Sequence, residues 1–195
     1  MKYPSGHKEK IRERIVKAAA RRFRKEGIEA VGIAALMQAL GLTHGGFYAH
    51  FKSKDALAAE ASSHAFDETM AQLRDIISAA PPGERLRRLA ASYVSAYHRD
   101  HPESGCLAAA LGDDIARQSP QLRRAVTQKL DALIALIEEA ASADGLAVSG
   151  HAFLAQMMGA VTLSRIPLDQ ERRDRFIDDT LAALAKSLPR SVTAA

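Results

Sequence analysis

The sequence predicts an all-α protein in two unequal parts, and three observations carry that prediction. Apolar residues recur at helical spacing through most of its 195 residues. No stretch shows the alternating period of a half-buried strand. Breaks at Gly27, Gly41, Ala80-Pro81-Pro82-Gly83, Pro102, Pro120, Gly145 and Pro167 divide the chain into helix-sized lengths. Alanine and leucine are abundant and tryptophan is absent, and the chain is long enough to bury a core.

Residues 1–7 read as a loose arm, because Pro4, Ser5 and Gly6 interrupt any period before the first helix. That helix is expected over 8–25, burying Ile11, Ile15, Ala18, Ala19 and Phe23 and stopping at Gly27. Ile33, Leu36, Met37 and Leu40 then recur at i, i+3, i+4 and i+7, and Gly41 stands where such a helix ends. Thr43 sits at an N-cap position and opens a short second helix whose Phe47 and Phe51, four apart, face the core. Two short helices around a tight turn make a helix-turn-helix. Gly45 and Gly46 each cost about 1 kcal/mol of helix propensity relative to alanine. Such a cost fits a backbone that must approach a partner closely, and a plain turn is the other reading of the pair.

Lys54 opens a long helix over 54–80 that links the two parts, which divide at 1–53 and 54–195. Further helices are expected up to residue 101, over 105–117 and over 121–143, then a final pair over 149–165 and 168–188. That pair combines small residues at Ala152, Ala155, Gly159 and Ala160 with an apolar stripe of Phe176, Ile177, Leu181, Leu184 and Leu188. It suits helix packing, against a second copy or against the chain's own core. Residues 189–195 read as a disordered tail.

Charge is unevenly placed. Residues 1–60 hold 12 Lys plus Arg against 6 acids, and residues 61–195 hold 15 against 17, so the first part is +6 and the rest −2. A cationic end on a slightly anionic body is the footprint of a protein that docks on a polyanion. Nothing at the N-terminus has the apolar core of a signal peptide, and no segment approaches the roughly 18 apolar residues of a membrane span, so a cytoplasmic protein is expected. A single cysteine, Cys106, allows no intramolecular disulfide and fits a reducing compartment.

The run Gly41-Leu42-Thr43-His44-Gly45-Gly46-Phe47-Tyr48-Ala49-His50-Phe51-Lys52-Ser53-Lys54-Asp55-Ala56-Leu57 resembles the signature of the TetR/AcrR family of bacterial transcriptional repressors. The resemblance spans residues 8–60. It departs at His44, often lysine in the family, and at Val31-Gly32, where threonine is common. It implies that Thr43, His44, Gly45 and Gly46 begin a recognition helix in the major groove, that Tyr48 touches a phosphate or a thymine methyl, and that His50, Lys52 and Lys54 contact phosphates. It also implies a homodimer in which the last two helices meet their copies as a four-helix bundle, with Ala155, Gly159, Ile177, Leu181 and Leu184 in the interface. The operator is then near-palindromic double-stranded DNA, with half-sites roughly 34 to 36 Å apart. A regulator without a small-molecule inducer is the alternative reading.

The effector is less legible. Tyr93, Tyr97, Phe153 and Met157, with Phe66, Met70, Leu107, Leu111 and Met158, are candidates to line a cavity among the middle helices, and ordinary core packing is the competing reading for each. Cys106 lies at the expected start of a helix, where free amides favour a thiolate, with Arg165 able to reach it from a neighbouring helix; a small buried hydrophobe is the competing reading. Its Ser-Gly-Cys-Leu segment is similar to the electrophile-sensing branch of the family, with Arg165 where a lysine would offer an amine. His98, His101, Glu103 and Cys106 have a zinc-like spacing that Pro102 interrupts, so no metal is assigned, and no cofactor is expected. Glycine-rich phosphate loops, the Gly-x-Ser-x-Gly elbow and the zinc-protease helix are absent from the sequence, which argues against an enzyme.

Overall fold

The computed structural model describes residues 5–188, and every regular element among them is helical. Helix α1 (Ser5–Glu26) takes in residues 5–7 of the predicted arm; residues 1–4 and the predicted tail at 189–195 lie outside the described residues. Ile15, Ala19 and Phe23 are buried as the spacing requires, and Val16, Ala20 and Arg24 widen the stripe. Gly27 closes α1 with φ 90°, a left-handed conformation that a side chain resists, and bonds back to the Phe23 carbonyl at 2.8 Å. Helix α2 (Ile33–Ala39) buries Leu36 and Met37 and ends at Gly41, φ 70°.

The next element is a 3-10 segment, His44–Ala49, where the sequence suggested an α-helix. Two glycines and a length of only six residues leave too little propensity to nucleate an α-helix. Helix α3 (Lys54–Ala79) starts at a Ser53 cap whose hydroxyl accepts the Ala56 N–H at 3.1 Å, and it packs on α1, α4 and α7.

The helix expected to end at 101 is two helices, α4 (Arg85–Tyr93) and α5 (Ala96–Asp100). The chain breaks at Val94, ψ 82°, because the Ser95 hydroxyl recaps the following turn, accepting the His98 N–H at 3.2 Å. A 3-10 turn, Pro102–Ser104, leads into α6 (Leu107–Ala116), which leaves Cys106 as the N-cap residue of that helix. Then follow α7 (Pro120–Ala143), α8 (Gly150–Leu163) and α9 (Gln170–Ser187). The buried Asp144 carboxylate, just past α7, accepts the Gly83 and Leu86 amides at 2.9 and 3.0 Å. It thereby caps α4, whose preceding Pro-Pro-Gly turn supplies no side-chain cap.

Candidate DNA-binding face and effector cavity

The recognition segment is built as an exposed platform on an apolar base. Thr43 Oγ1 accepts the Gly46 N–H at 3.2 Å, the expected cap. Phe47 and Phe51 are buried with ring centroids 5.6 Å apart, each contributing about 1.5 to 3 kcal/mol by leaving water. Above them Thr43, His44, Gly45, Tyr48 and Lys52 are exposed, Tyr48 by 64% with its ring edge-on to Phe47. A Cβ on Gly45 would meet open space, whereas one on Gly46 would press to 3.3 Å on the Thr43 hydroxyl. Packing within the chain therefore bears on the glycine at 46 and not on the one at 45.

The cations of this region are partly committed to internal bonds. Arg14 donates to the Leu40 carbonyl at the end of α2, at 3.2 Å. Lys54 Nζ donates to the Glu29 carbonyl at 2.9 Å, tying the turn before α2 to the first turn of α3. His50 is half-buried, and burial followed by the charges of Lys8 and Arg12 holds its imidazole below the ordinary range.

A cavity of about 410 Å³ opens between α3, α4 and α5, lined by Tyr93, Tyr97, His98, Cys106, Gln72 and Asp75 among others. It gathers three of the five predicted sensing residues. Phe153 and Met157 are buried in α8 and take no part in its wall. Tyr93 is 3% exposed, and its hydroxyl, beside Cys106, has no hydrogen-bond partner among the described residues. Burial pushes that phenol well above its usual range.

His98 organises the wall. Its Nδ1 lies 2.7 Å from the Tyr93 carbonyl and its Nε2 accepts the Cys106 amide at 3.0 Å, so the ring is neutral with the proton on Nδ1. Burial, reinforced by Arg165 and Arg24, lowers its pKa to about 4. With both nitrogens engaged the ring offers nothing to a metal, and no metal-holding cluster occurs among the described residues.

Sequence reasoning missed the link from this wall to α1. Arg24, buried in α1, donates to the Ala20 carbonyl at 3.1 Å, to the Gly105 carbonyl at 2.8 Å and to the Glu68 carboxylate at 3.0 Å. Its partner Gly105 lies 81 positions away and directly before Cys106. Arg165 donates to the carbonyls of His98, Arg99 and Ala109 at 3.0, 3.1 and 2.9 Å, and its charge reaches Tyr93 and Cys106. Asp114 in α6 accepts the Ile28 amide at 2.9 Å.

On α8 and α9, Ile177 and Leu184 are buried within the chain, Leu181 and Gly159 are half-buried and Ala155 is exposed. An open groove of about 350 Å³ runs between Ala155, Gly159, Leu163, Phe176, Thr180 and Ala183. Six large apolar side chains are exposed among the described residues: Tyr48 on the recognition segment, Tyr97 at the cavity, and Leu163, Ile166, Leu168 and Phe176 on α8, α9 and their connection. No helix among the described residues is long and apolar enough to cross a membrane.

Comparison with known proteins agrees with this geometry. Residues 15–61 match the model of the bacterial regulatory proteins of the tetR family. The HTH-type transcriptional regulator YerO of Bacillus subtilis (strain 168) is 26% identical over 194 residues, covering 92% of this chain, which spans 66% of that relative's length. Among solved structures, NemR of E. coli in its reduced form has a TM-score of 0.79 at 17% identity over 93% of this chain and 98% of its own. AibR, solved with isovaleryl coenzyme A and operator DNA, has a TM-score of 0.63 at 20% identity over 88% of this chain and 96% of its own. These two likenesses show the fold, and over residues 15–61, from within α1 through α2 and the recognition segment into α3, the chain is similar to the bacterial regulatory proteins of the tetR family.

Proposed function

We propose that this chain is a homodimeric transcriptional repressor that holds a near-palindromic operator and releases it when the cavity beside Cys106 is filled or the thiol is modified. The observation that carries the reading is the pairing of an exposed recognition segment with a cavity wall bonded directly to α1 through Arg24. Thr43, His44, Gly45, Gly46 and Tyr48 meet the major groove, and His50, Lys52 and Lys54 approach phosphates. The groove on α8 and α9, lined by Ala155, Gly159 and Leu184, receives the second copy, with Ile177 and Leu181 on the same helix α9. Among relatives of this fold, AibR was solved with both a small acyl thioester and operator DNA, which supports a ligand-released regulator.

Release works by displacement. A ligand or adduct that moves Cys106 or His98 also moves Gly105, and the Arg24 bond carries that shift into α1. Effector coupling of this kind is ordinarily about 1 to 3 kcal/mol. The long helix α3 joins the two parts, and the bonds on Gly105 and Asp114 add a second route through α6.

The test is fluorescence anisotropy of the native protein on a duplex it enriches from a randomised pool, with and without N-ethylmaleimide, alongside Cys106→Ser. Salt-sensitive binding abolished by the reagent in the native protein alone supports a thiol-responsive repressor. Binding indifferent to the reagent removes the thiol from the mechanism and leaves a non-covalent ligand of the cavity.

A further inference from the structure

We propose that Arg12 and Glu60 form a clamp that sets the position of the recognition segment, making both of them positioning residues for DNA recognition rather than DNA contacts. The proposal rests on the DNA-binding reading above. The Arg12 guanidinium, on α1, grips the Glu60 carboxylate of α3 in a fork, with Nε to Oε1 at 3.0 Å and a second bond from Nη2 to Oε2. Its remaining terminal nitrogen donates to the His50 carbonyl, at the C-cap of the recognition segment. The same guanidinium lies over the Phe51 ring, 4.1 Å from its centroid.

One side chain thus joins three elements. The recognition segment needs such a fixture: it is a six-residue 3-10 turn with two glycines, and Thr43 caps it at the opposite end. A cation on the last carbonyl also complements the negative end of the segment's dipole. The planar fork matters, because a lysine carries the charge but cannot hold carboxylate, carbonyl and ring at once.

Charge and position predict opposite outcomes here. Removing the Glu60 charge near a polyanion should tighten every DNA contact if electrostatics alone decides. If Glu60 holds Arg12 in place, its loss should instead weaken binding to the preferred sequence. Phosphate contacts govern non-specific affinity, whereas sequence is read only when the segment is correctly placed.

The experiment uses the full-length protein, a duplex enriched by the native protein from a randomised pool, and a scrambled duplex of the same length. Glu60→Gln, which preserves shape, and Arg12→Lys, which preserves charge, are each expected to lose about tenfold in affinity for the enriched duplex, with affinity for the scrambled one unchanged or raised and the salt slope of Arg12→Lys unchanged. Hydrogen exchange at the His50 and Phe51 amides should quicken in both variants while the exchange of α7 stays as in the native protein. Glu60→Gln binding the enriched duplex as tightly as the native protein, or more tightly, overturns the clamp. A native protein that enriches no sequence overturns the DNA-binding reading and the clamp with it, and the two failures are told apart by the native control.

Discussion

Replacing Gly105 by alanine should unlatch the cavity wall. Gly105 has φ −89° and ψ −173°, ordinary extended backbone that alanine adopts without strain. The difficulty is the imidazole: a Cβ at this position would stand 2.3 Å from His98 Cδ2 and 2.5 Å from Nε2, distances no packed atoms sustain. The ring must leave, giving up its bonds to the Tyr93 carbonyl and the Cys106 amide. Each buried group left without a partner costs about 1 to 3 kcal/mol, so a loss of about 3 kcal/mol is expected. Urea unfolding at neutral pH, followed by circular dichroism, measures it, and the decisive arm is Gly105→Ala combined with His98→Ala. If the clash is the cause, removing the ring makes the glycine dispensable and the double variant is no less stable than His98→Ala alone. Losses that simply add would refute the reasoning.

Other outcomes follow from the same geometry. Because the folded state holds His98 at about pKa 4 against about 6.5 unfolded, the unfolded chain binds the extra proton between those values; stability should fall from about pH 6.5 down to about 4 by about 3 kcal/mol, and a His98→Gln variant should lack that step in a urea titration repeated across pH. Thr43→Ala should lose about 1 kcal/mol of stability through its missing cap and weaken DNA binding, whereas Tyr48→Ala, on an exposed side chain, should keep its melting temperature and still bind poorly; equal stability and equal binding for both would contradict the roles given to them. Gly159→Glu adds a side chain where the protomer offers open space, so sedimentation velocity should show a monomer with native helix content, and an intact dimer would move the interface elsewhere.

The sequence made the helix-turn-helix legible because its determinants are local. Gly41 needs a positive φ, Thr43 caps three residues ahead, and Phe47 and Phe51 are a single turn apart. The split at Val94 was not legible, since Ser95 recaps the next turn with one hydroxyl and its neighbours Ala91, Ala96 and Tyr97 are tolerated in helices. Phe153 and Met157 were read as cavity residues because apolar spacing cannot say which side of a packed helix meets a void. The basic residues of α1 looked alike as a charge run, yet Arg12, Arg14 and Arg24 each bind a backbone carbonyl on another element or turn. Those pairings are fixed by tertiary approach over 26 to 81 positions, and nothing in local spacing encodes them.

Helix α6 is fastened near both ends to one short stretch of chain. At its start the Gly105 carbonyl holds Arg24; toward its end Asp114 holds the Ile28 amide and Gln118, just beyond it, reaches Glu29 at 3.3 Å. Its ten residues make a rod about 15 Å long pinned at two points. A rod held at one point swivels and lets small movements die in the joint. Held at two, it ties the Cys106 end to the same short stretch, residues 24–29, that its other end grips. Under the proposed function, this arrangement suits a switch that answers a small molecule without unfolding anything, with the sensitivity of the response set by the stiffness of α6 as well as by the affinity of the cavity.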